Sequence, residues 1–352
     1  MFLASCGSCS LTALPFAAEL VPWDGDEIVL MSYNVQNLFD AADDGNEYPE
    51  YDPGEGRWGV DDYYRKLKNL SAVIRGIGEG KGPDIAVFQE LEKPAVLKTL
   101  NEEFLAGLGY RFAYVAYREG QSVHVGALSR IPVSQMYSHA PDGDSRAILE
   151  LRLSPPRGGD ITVFVNHWKS RLGGVAATEG QRAKAAAFLA HRISAVPTPC
   201  IVCGDLNWDT RELEEYALLW GLSQDDGPPA LGFQGSASPL WLTSVPQVIQ
   251  ESTCSNLMFN PWVSLRDSVS SQTALTPGGS YWYKGEWEAI DHCFLSCGFF
   301  TGGASGGGWK FSSFGPYVSK DFCTGDAVPI GYSHRKKEGC SDHLPVVLRL
   351  KL

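Results

Sequence analysis

Pro199-Cys200-Ile201-Val202-Cys203-Gly204-Asp205-Leu206-Asn207 is the stretch on which the reading of this chain turns. Cys200–Gly204 is an apolar run of strand length, and its Ile-Val pair favours extended backbone. The run ends in a carboxylate and an amide two positions apart, where a buried strand would reach solvent. The C-x-x-C spacing of Cys200 and Cys203 invites a zinc or redox reading. No second close Cys/His pair completes such a site, so both are read as core cysteines.

Five other segments end the same way: Ser32-Tyr-Asn34-Val-Gln36-Asn37, Val87-Phe-Gln89-Glu90, Val165-Asn166-His167-Trp-Lys169-Ser, Ile290-Asp291-His292 and Ser341-Asp342-His343. Taken singly, an Asp or Asn at a strand end is a turn residue or a helix cap. A lone His beside an apolar run is more often structural than catalytic. Six such endings in one chain ask for a shared chemical purpose.

Phosphoester hydrolysis supplies that purpose. A hard cation takes oxygen ligands from carboxylates and amides, which Glu90, Asp342 and Asn34 can provide. Asp205 and Asn207, with Gln36, offer further oxygens. A base near neutral pH is by default a histidine, here His343, with a carboxylate to orient it. Charge developing on phosphoryl oxygens needs donors: a protonated His167, Asn207 and a nearby arginine. His292 follows Asp291 and would point to the opposite strand face, which makes it structural.

Between these segments the chain reads as alternating strands and helices. Strands are expected at Ile28–Tyr33, Pro83–Glu90, Val123–Leu128, Ala147–Leu153, Ile161–Asn166, Ile290–Ser296 and Leu344–Leu350. Helices are expected at Asp61–Ile77 (apolar face Tyr64, Leu67, Leu70, Val73, Ile74, Ile77), Lys93–Leu108, Glu179–Ser194 and Glu212–Trp220. Residues 221–287 and the Gly/Ser-rich 302–315 read as loops, and the first 27 residues as a loose head. The expected architecture is a layered α/β enzyme: one large domain, 28–352, behind an N-terminal segment, 1–27.

Twenty-nine Lys and Arg against 41 Asp and Glu give a formal net charge of −12. This weighs against tight nucleic-acid binding through a bulk positive field. It leaves room for an acidic cleft neutralised by a divalent cation. Nine cysteines, an odd number, leave at least one unpaired. Cys323 and Cys340 are the expected bridge in an oxidising compartment. Leu3-Ala4-Ser5-Cys6 resembles a bacterial lipobox, so a lipid anchor on Cys6 and an exported, periplasmic or membrane-anchored protein are expected rather than a cytoplasmic one. No apolar window is long enough to span a membrane as a helix.

The six motifs, in this order from Ile28 to Leu350, resemble the endonuclease/exonuclease/phosphatase superfamily, the deoxyribonuclease I-like enzymes, and its bacterial nuclease-like branch. Gly204-Asp-Leu-Asn207 and Ser341-Asp-His343 are the most specific. The resemblance implies a four-layer α/β sandwich, two packed mixed β-sheets flanked by helices, with the site at one edge. It implies that Glu90 is the main ligand of Mg²⁺ or Mn²⁺, with Asn34 beside metal and phosphate and Asp342 near the metal. His167, Asp205, Asn207, Asp291 and His343 would be catalytic, Asp291 partnering His343. Either His343 or Asp205 would be the base. Arg146 matches a phosphate-contacting arginine. Some branches carry an acid where Gln36 stands, so the number of metals stays open.

Asn166-His-Trp-Lys-Ser-Arg171 is similar to the form seen in bacterial surface nucleases, where Lys169 and Arg171 would meet backbone phosphates. The expected activity is a sequence-tolerant DNase acting on nucleic acid, as a monomer with no protein partner implied. The alternative is a sphingomyelinase or inositol-phosphate phosphatase on the same scaffold, marked by exposed aromatics among Trp241, Trp262, Trp282, Tyr283 and Trp287.

Overall fold

The computed structural model describes residues 9–15, 23–212, 230–231, 240–252, 255–269, 277–301 and 308–352. Two mixed sheets form its centre. Strands β1 (Cys9–Pro15), β2 (Glu27–Leu38), β3 (Ile85–Leu91), β4 (Phe112–Arg118), β5 (His124–Ser129), β16 (Lys310–Pro316) and β17 (Val346–Lys351) make a seven-stranded sheet in the order β1-β4-β5-β3-β2-β17-β16.

The second sheet has eight strands, ordered β10-β11-β12-β15-β9-β8-β7-β6. These are β6 (Val133–His139), β7 (Ile148–Leu153), β8 (Ile161–His167), β9 (Cys200–Asp205), β10 (Ala230–Leu231), β11 (Leu240–Thr243), β12 (Leu257–Phe259) and β15 (Asp291–Ser296). A separate hairpin joins β13 (Tyr281–Tyr283) to β14 (Glu286–Glu288). Parallel pairs β2/β3, β8/β9 and β11/β12 sit among antiparallel neighbours in both sheets.

The layers follow from strand periodicity. Ile28 and Leu30 point between the sheets, where they meet Leu149, Val163, Ile201 and Leu295. Val29, Met31 and Tyr33 alternate to the outer face and pack on Leu67, Leu70 and Ile74 of α1 (Val60–Gly76). On the far side Phe164 and Val202 pack on Ala186, Leu189 and Ile193 of α3 (Val175–Ser194), which follows the short α2 (Pro94–Thr99). Both faces of the central strands are therefore covered, which is why they read as unbroken apolar runs. The four-layer α/β sandwich stands.

Several local expectations need correction. The head is not wholly loose, because β1 pairs along its length with β4. Tyr63, not Tyr64, faces the core from α1; Tyr64 is 41% exposed. The helix expected at Lys93–Leu108 ends at Thr99 and continues as a π turn over Leu100–Phe104. The stretch 221–287 carries strands as well as α4 (Pro246–Glu251) and α5 (Pro261–Val269), whose short apolar runs are diluted by Gly, Ser and Pro. Phe311 and Phe314 likewise sit in an edge strand, β16, that Ser and Gly disguise. Strands β4 and β6 were not anticipated.

Cys323 and Cys340 are not bridged: both are free, and the Cys340 sulfur accepts a hydrogen bond from the Tyr33 hydroxyl at 3.3 Å. Cys200 and Cys203 are buried free thiols of the core. The helix expected after Glu212, and Cys6 with its lipobox, lie outside the described residues. No helix among the described residues is long and apolar enough to cross a membrane.

Candidate active site

Three adjacent strands of the larger sheet end in one row. Parallel pairing sets His167 opposite Asp205, and antiparallel pairing sets Asp205 opposite Asp291. Gly204 makes the row close-packed. Its φ is +128°, and a Cβ there would collide with the carbonyl oxygen of Asn166 on the neighbouring strand. A glycine immediately before the aspartate is thus a steric requirement.

The facing sheet contributes Asn34 and Glu90 through backbone irregularities. The β2/β3 register, with Asn34 opposite Gln89, breaks immediately afterwards. The β3/β5 register shifts between Phe88 and Leu91. Gln36, Asn37, Glu90 and Asn207 adopt left-handed φ values of 52°, 57°, 68° and 50°. Such conformations are unfavourable for non-glycine residues and concentrate where geometry serves function. Here they set the Asn37 and Asn207 N–H groups on the Glu90 and Asp205 carboxylates.

Asn34 joins the sheets. Its Nδ2 donates to Glu90 Oε1 and to Asp205 Oδ2, each at 3.0 Å. The Asn37 amide donates to Glu90 Oε2 at 2.7 Å, and the Asn207 amide to Asp205 Oδ1 at 2.8 Å. His167 Nε2 lies 3.7 Å from Glu90 and 3.6 Å from Asp205. Burial and the Asp291 charge raise the Asp205 carboxyl to about 7. Burial, the Arg146 charge and His343 push the His167 imidazole well below its usual value. This direction favours the neutral ring, where the sequence reading has a protonated donor.

His343 is governed differently. Burial opposes its charge, but Asp291 Oδ2 lies 2.8 Å from Nδ1 and, with Asp342 and Asp205, raises the imidazole to about 10. Ser280 donates to the same Asp291 oxygen at 2.6 Å. The Tyr281 ring stacks on His343 with centroids 4.7 Å apart. Ser341 donates to the Asn34 carbonyl at 2.7 Å and accepts from the His343 amide, tying the last motif to the first.

Glu90, His167 and Asp205 present ligand atoms within 4.8 Å of one another, as do Asp205, Asp291 and His343. Two carboxylates converging on one amide nitrogen, with the His167 Nδ1 and Asp291 Oδ1 atoms buried and unpartnered, suit a hard cation that would relieve the crowded negative charge. Asp342 is half-buried beside His343 and outside both groups.

Arg146 and Lys169 line one cleft with His167, a cavity of about 200 Å³ that also takes in Tyr48, Gln121 and Gln181. The Arg146 guanidinium donates to the Trp168 carbonyl at 2.8 Å. Arg171 departs from expectation. It is paired with Glu288 and, at 3.5 Å, with Glu212, so two carboxylates already neutralise it. Gln36 turns away from the carboxylates and accepts from the Tyr332 amide at 2.7 Å. His292 is structural, with Nε2 2.8 Å from the Trp208 carbonyl.

Sequence reasoning missed Ser280, Tyr281 and Lys66. Lys66 is fully buried on the inward face of α1, with Nζ donating to the carbonyls of Gln36 and Asn37. A signal existed: position 66 is three residues after Tyr63 and four before Leu70, a lone charge inside an apolar stripe.

A model of the endonuclease/exonuclease/phosphatase family matches residues 29–219, more than half of the chain. The chain belongs to this family. The family protein from Bacteroides thetaiotaomicron has a TM-score of 0.54 at 14% identity, over 92% of this chain and 97% of that one. D. rerio TDP2 complexed with single strand DNA product gives 0.53 at 12% identity, over 93% and 100%. The human Nocturnin catalytic domain with bound sulfate gives 0.51 at 14%, over 97% of each chain. At these identities the likeness is one of fold. No curated protein matches the sequence. Family members are hydrolases of phosphoric esters, and the chain carries acidic and histidine groups able to hold a metal at the meeting of its sheets.

Proposed function

We propose that the protein is a metal-dependent phosphodiesterase acting on nucleic acid, with DNA the favoured substrate. The observation that carries this reading is the row His167–Asp205–Asp291 facing Glu90, joined through the single Asn34 amide. Glu90, with Asn34 and Asp342 at its edge, would hold Mg²⁺ or Mn²⁺, whose chemistry when bound is Lewis-acid polarisation of the scissile phosphate.

The chain's own groups divide the remaining work. Asp205, raised to about 7, accepts the proton of the attacking water. His343 is held as imidazolium by Asp291 and donates to a phosphoryl oxygen that gains charge. On this reading the base, left open between His343 and Asp205 by the sequence, is Asp205. Asn207 helps orient the phosphoryl group, neutral His167 can donate its ring N–H to the leaving oxygen, and that oxygen takes its proton from solvent. Arg146 and Lys169 support flanking phosphates from the adjoining cleft. With these two local cations and a net charge of −12, binding to nucleic acid depends on divalent ions.

The phospholipid alternative draws on the β13–β14 hairpin, where Tyr283 is 46% exposed. Trp282 and Trp287 instead pack edge to face on each other, and Trp262 is buried, so these three aromatics offer little apolar surface to a membrane. Incubating the protein with single- and double-stranded DNA, RNA, sphingomyelin vesicles and inositol phosphates, with Mg²⁺ and with EDTA, separates the readings. Cleavage of nucleic acid only with Mg²⁺ is expected; turnover confined to the lipid or inositol substrates overturns the proposal.

A further inference from the structure

We propose that Lys66 is a positioning residue of the site: a fixed internal cation that sets the Gln36–Asn37 turn and, through it, aims Glu90. The inference rests on the metal-dependent reading above. Lys66 projects from α1 into complete burial, and no carboxylate lies within ion-pair distance of it among the described residues. Its ammonium instead donates to the carbonyl oxygens of Gln36 and Asn37, the latter at 3.1 Å. The rings of Tyr51, Trp58 and Tyr332 surround it, with centroids 5.5, 6.0 and 5.6 Å from Nζ. Aromatic faces and carbonyl dipoles are what a desolvated cation can use when no anion is present.

The arrangement matters because of what the turn does on its other side. Gln36 and Asn37 are both left-handed without being glycine, a conformation that persists only where surrounding contacts over-determine it. The two carbonyls converge on Lys66, and the Asn37 N–H then points outward to Glu90 Oε2 at 2.7 Å. Gln36 is anchored at its side chain by the Tyr332 amide, and Tyr332 is one wall of the cage. A continuous set of contacts thus runs from Lys66 through two carbonyls and one amide to the carboxylate assigned as the main metal ligand. Groups that orient a ligand in this way change metal affinity when removed.

A repelling role would act in the opposite direction, since an ammonium near the site disfavours a second cation by Coulomb's law. Lys66→Met keeps an unbranched side chain, one atom shorter, and removes the charge and donors. The test is Mn²⁺ binding to folded wild type and Lys66→Met by calorimetric titration, with circular dichroism to compare their folds. A 10- to 100-fold weaker Kd in the variant is expected. An unchanged Kd, or a tighter one, overturns the proposal. If Lys66→Met does not fold, Lys66→Gln, which is uncharged and places its nitrogen one atom short of the ammonium, is measured instead and should bind Mn²⁺ more weakly than wild type; an unchanged or tighter Kd, or failure of this variant also to fold, makes Lys66 a stability residue and overturns the proposal. A wild type that binds no Mn²⁺ overturns the metal reading itself, and this inference with it.

Discussion

Asp291→Asn probes the electrostatic centre of the site without changing its shape. Asp291 is fully buried, and its Oδ2 receives both Ser280 Oγ at 2.6 Å and His343 Nδ1 at 2.8 Å. Asparagine is isosteric, so the packing of Trp262, whose indole donates to the Asp291 carbonyl at 2.8 Å, is retained. The negative charge that outweighs the burial of His343 is removed. The imidazole then falls from about 10 toward or below its ordinary 6.5 and is neutral at pH 8. Removing one member of a buried, hydrogen-bonded charge pair costs on the order of 3–5 kcal/mol. In this case the cost falls on the charged state of His343, and catalysis should drop roughly 10²- to 10⁴-fold, as when other His–carboxylate pairs lose their charge. The assay is Mg²⁺-dependent hydrolysis of bis(4-nitrophenyl) phosphate, with the His343 ring protons followed by NMR in metal-free protein. A variant within a few-fold of wild-type turnover, or one whose His343 is still doubly protonated at pH 8, refutes the reasoning.

Other substitutions test separate parts of the account. Gly204→Ala forces a Cβ onto the Asn166 carbonyl at a left-handed φ; it should cost about 3 kcal/mol or more and appear as a lower Tm or insoluble protein, whereas wild-type stability would remove the steric argument. Lys169→Ala should raise KM for oligonucleotides and flatten its salt dependence. Arg171→Ala, breaking pairs with Glu288 and Glu212, should change Tm more than KM, and the reverse pattern would restore Arg171 to the substrate path. Glu150 accepts from His139 and twice from Arg192, all at 2.7 Å, and these partners outweigh burial and lower its pKa below 4.5. Its contribution is present above pH 4.5 and is lost as pH falls through the lower folded value. Glu150→Gln should therefore destabilise the protein at pH 7 and matter little at pH 2; a Tm difference independent of pH contradicts this.

What could be read from the sequence was set by how locally each feature is encoded. The strands carrying Asn34, Glu90, His167, Asp205 and Asp291 are buried on both faces, so their apolar runs and polar endings stood out. Strands β11, β12 and β16 were missed because they are short or at an edge, and tertiary pairing rather than composition makes them strands. The cage around Lys66 draws Tyr51, Trp58 and Tyr332 from distant segments, which periodicity cannot bring together. Charge states were least legible. Whether His167 is neutral and His343 charged depends on burial and on neighbours at known distances, and the motifs are silent on both.

The most direct test of the central claim is cleavage of a labelled DNA oligonucleotide by wild type and Glu90→Gln, each with Mg²⁺ and with EDTA. The account predicts cleavage by wild type with Mg²⁺, none in EDTA, and a loss of at least about 100-fold in Glu90→Gln at the same Mg²⁺ concentration. Equal cleavage in EDTA, or a Glu90→Gln variant as active as wild type, would contradict it.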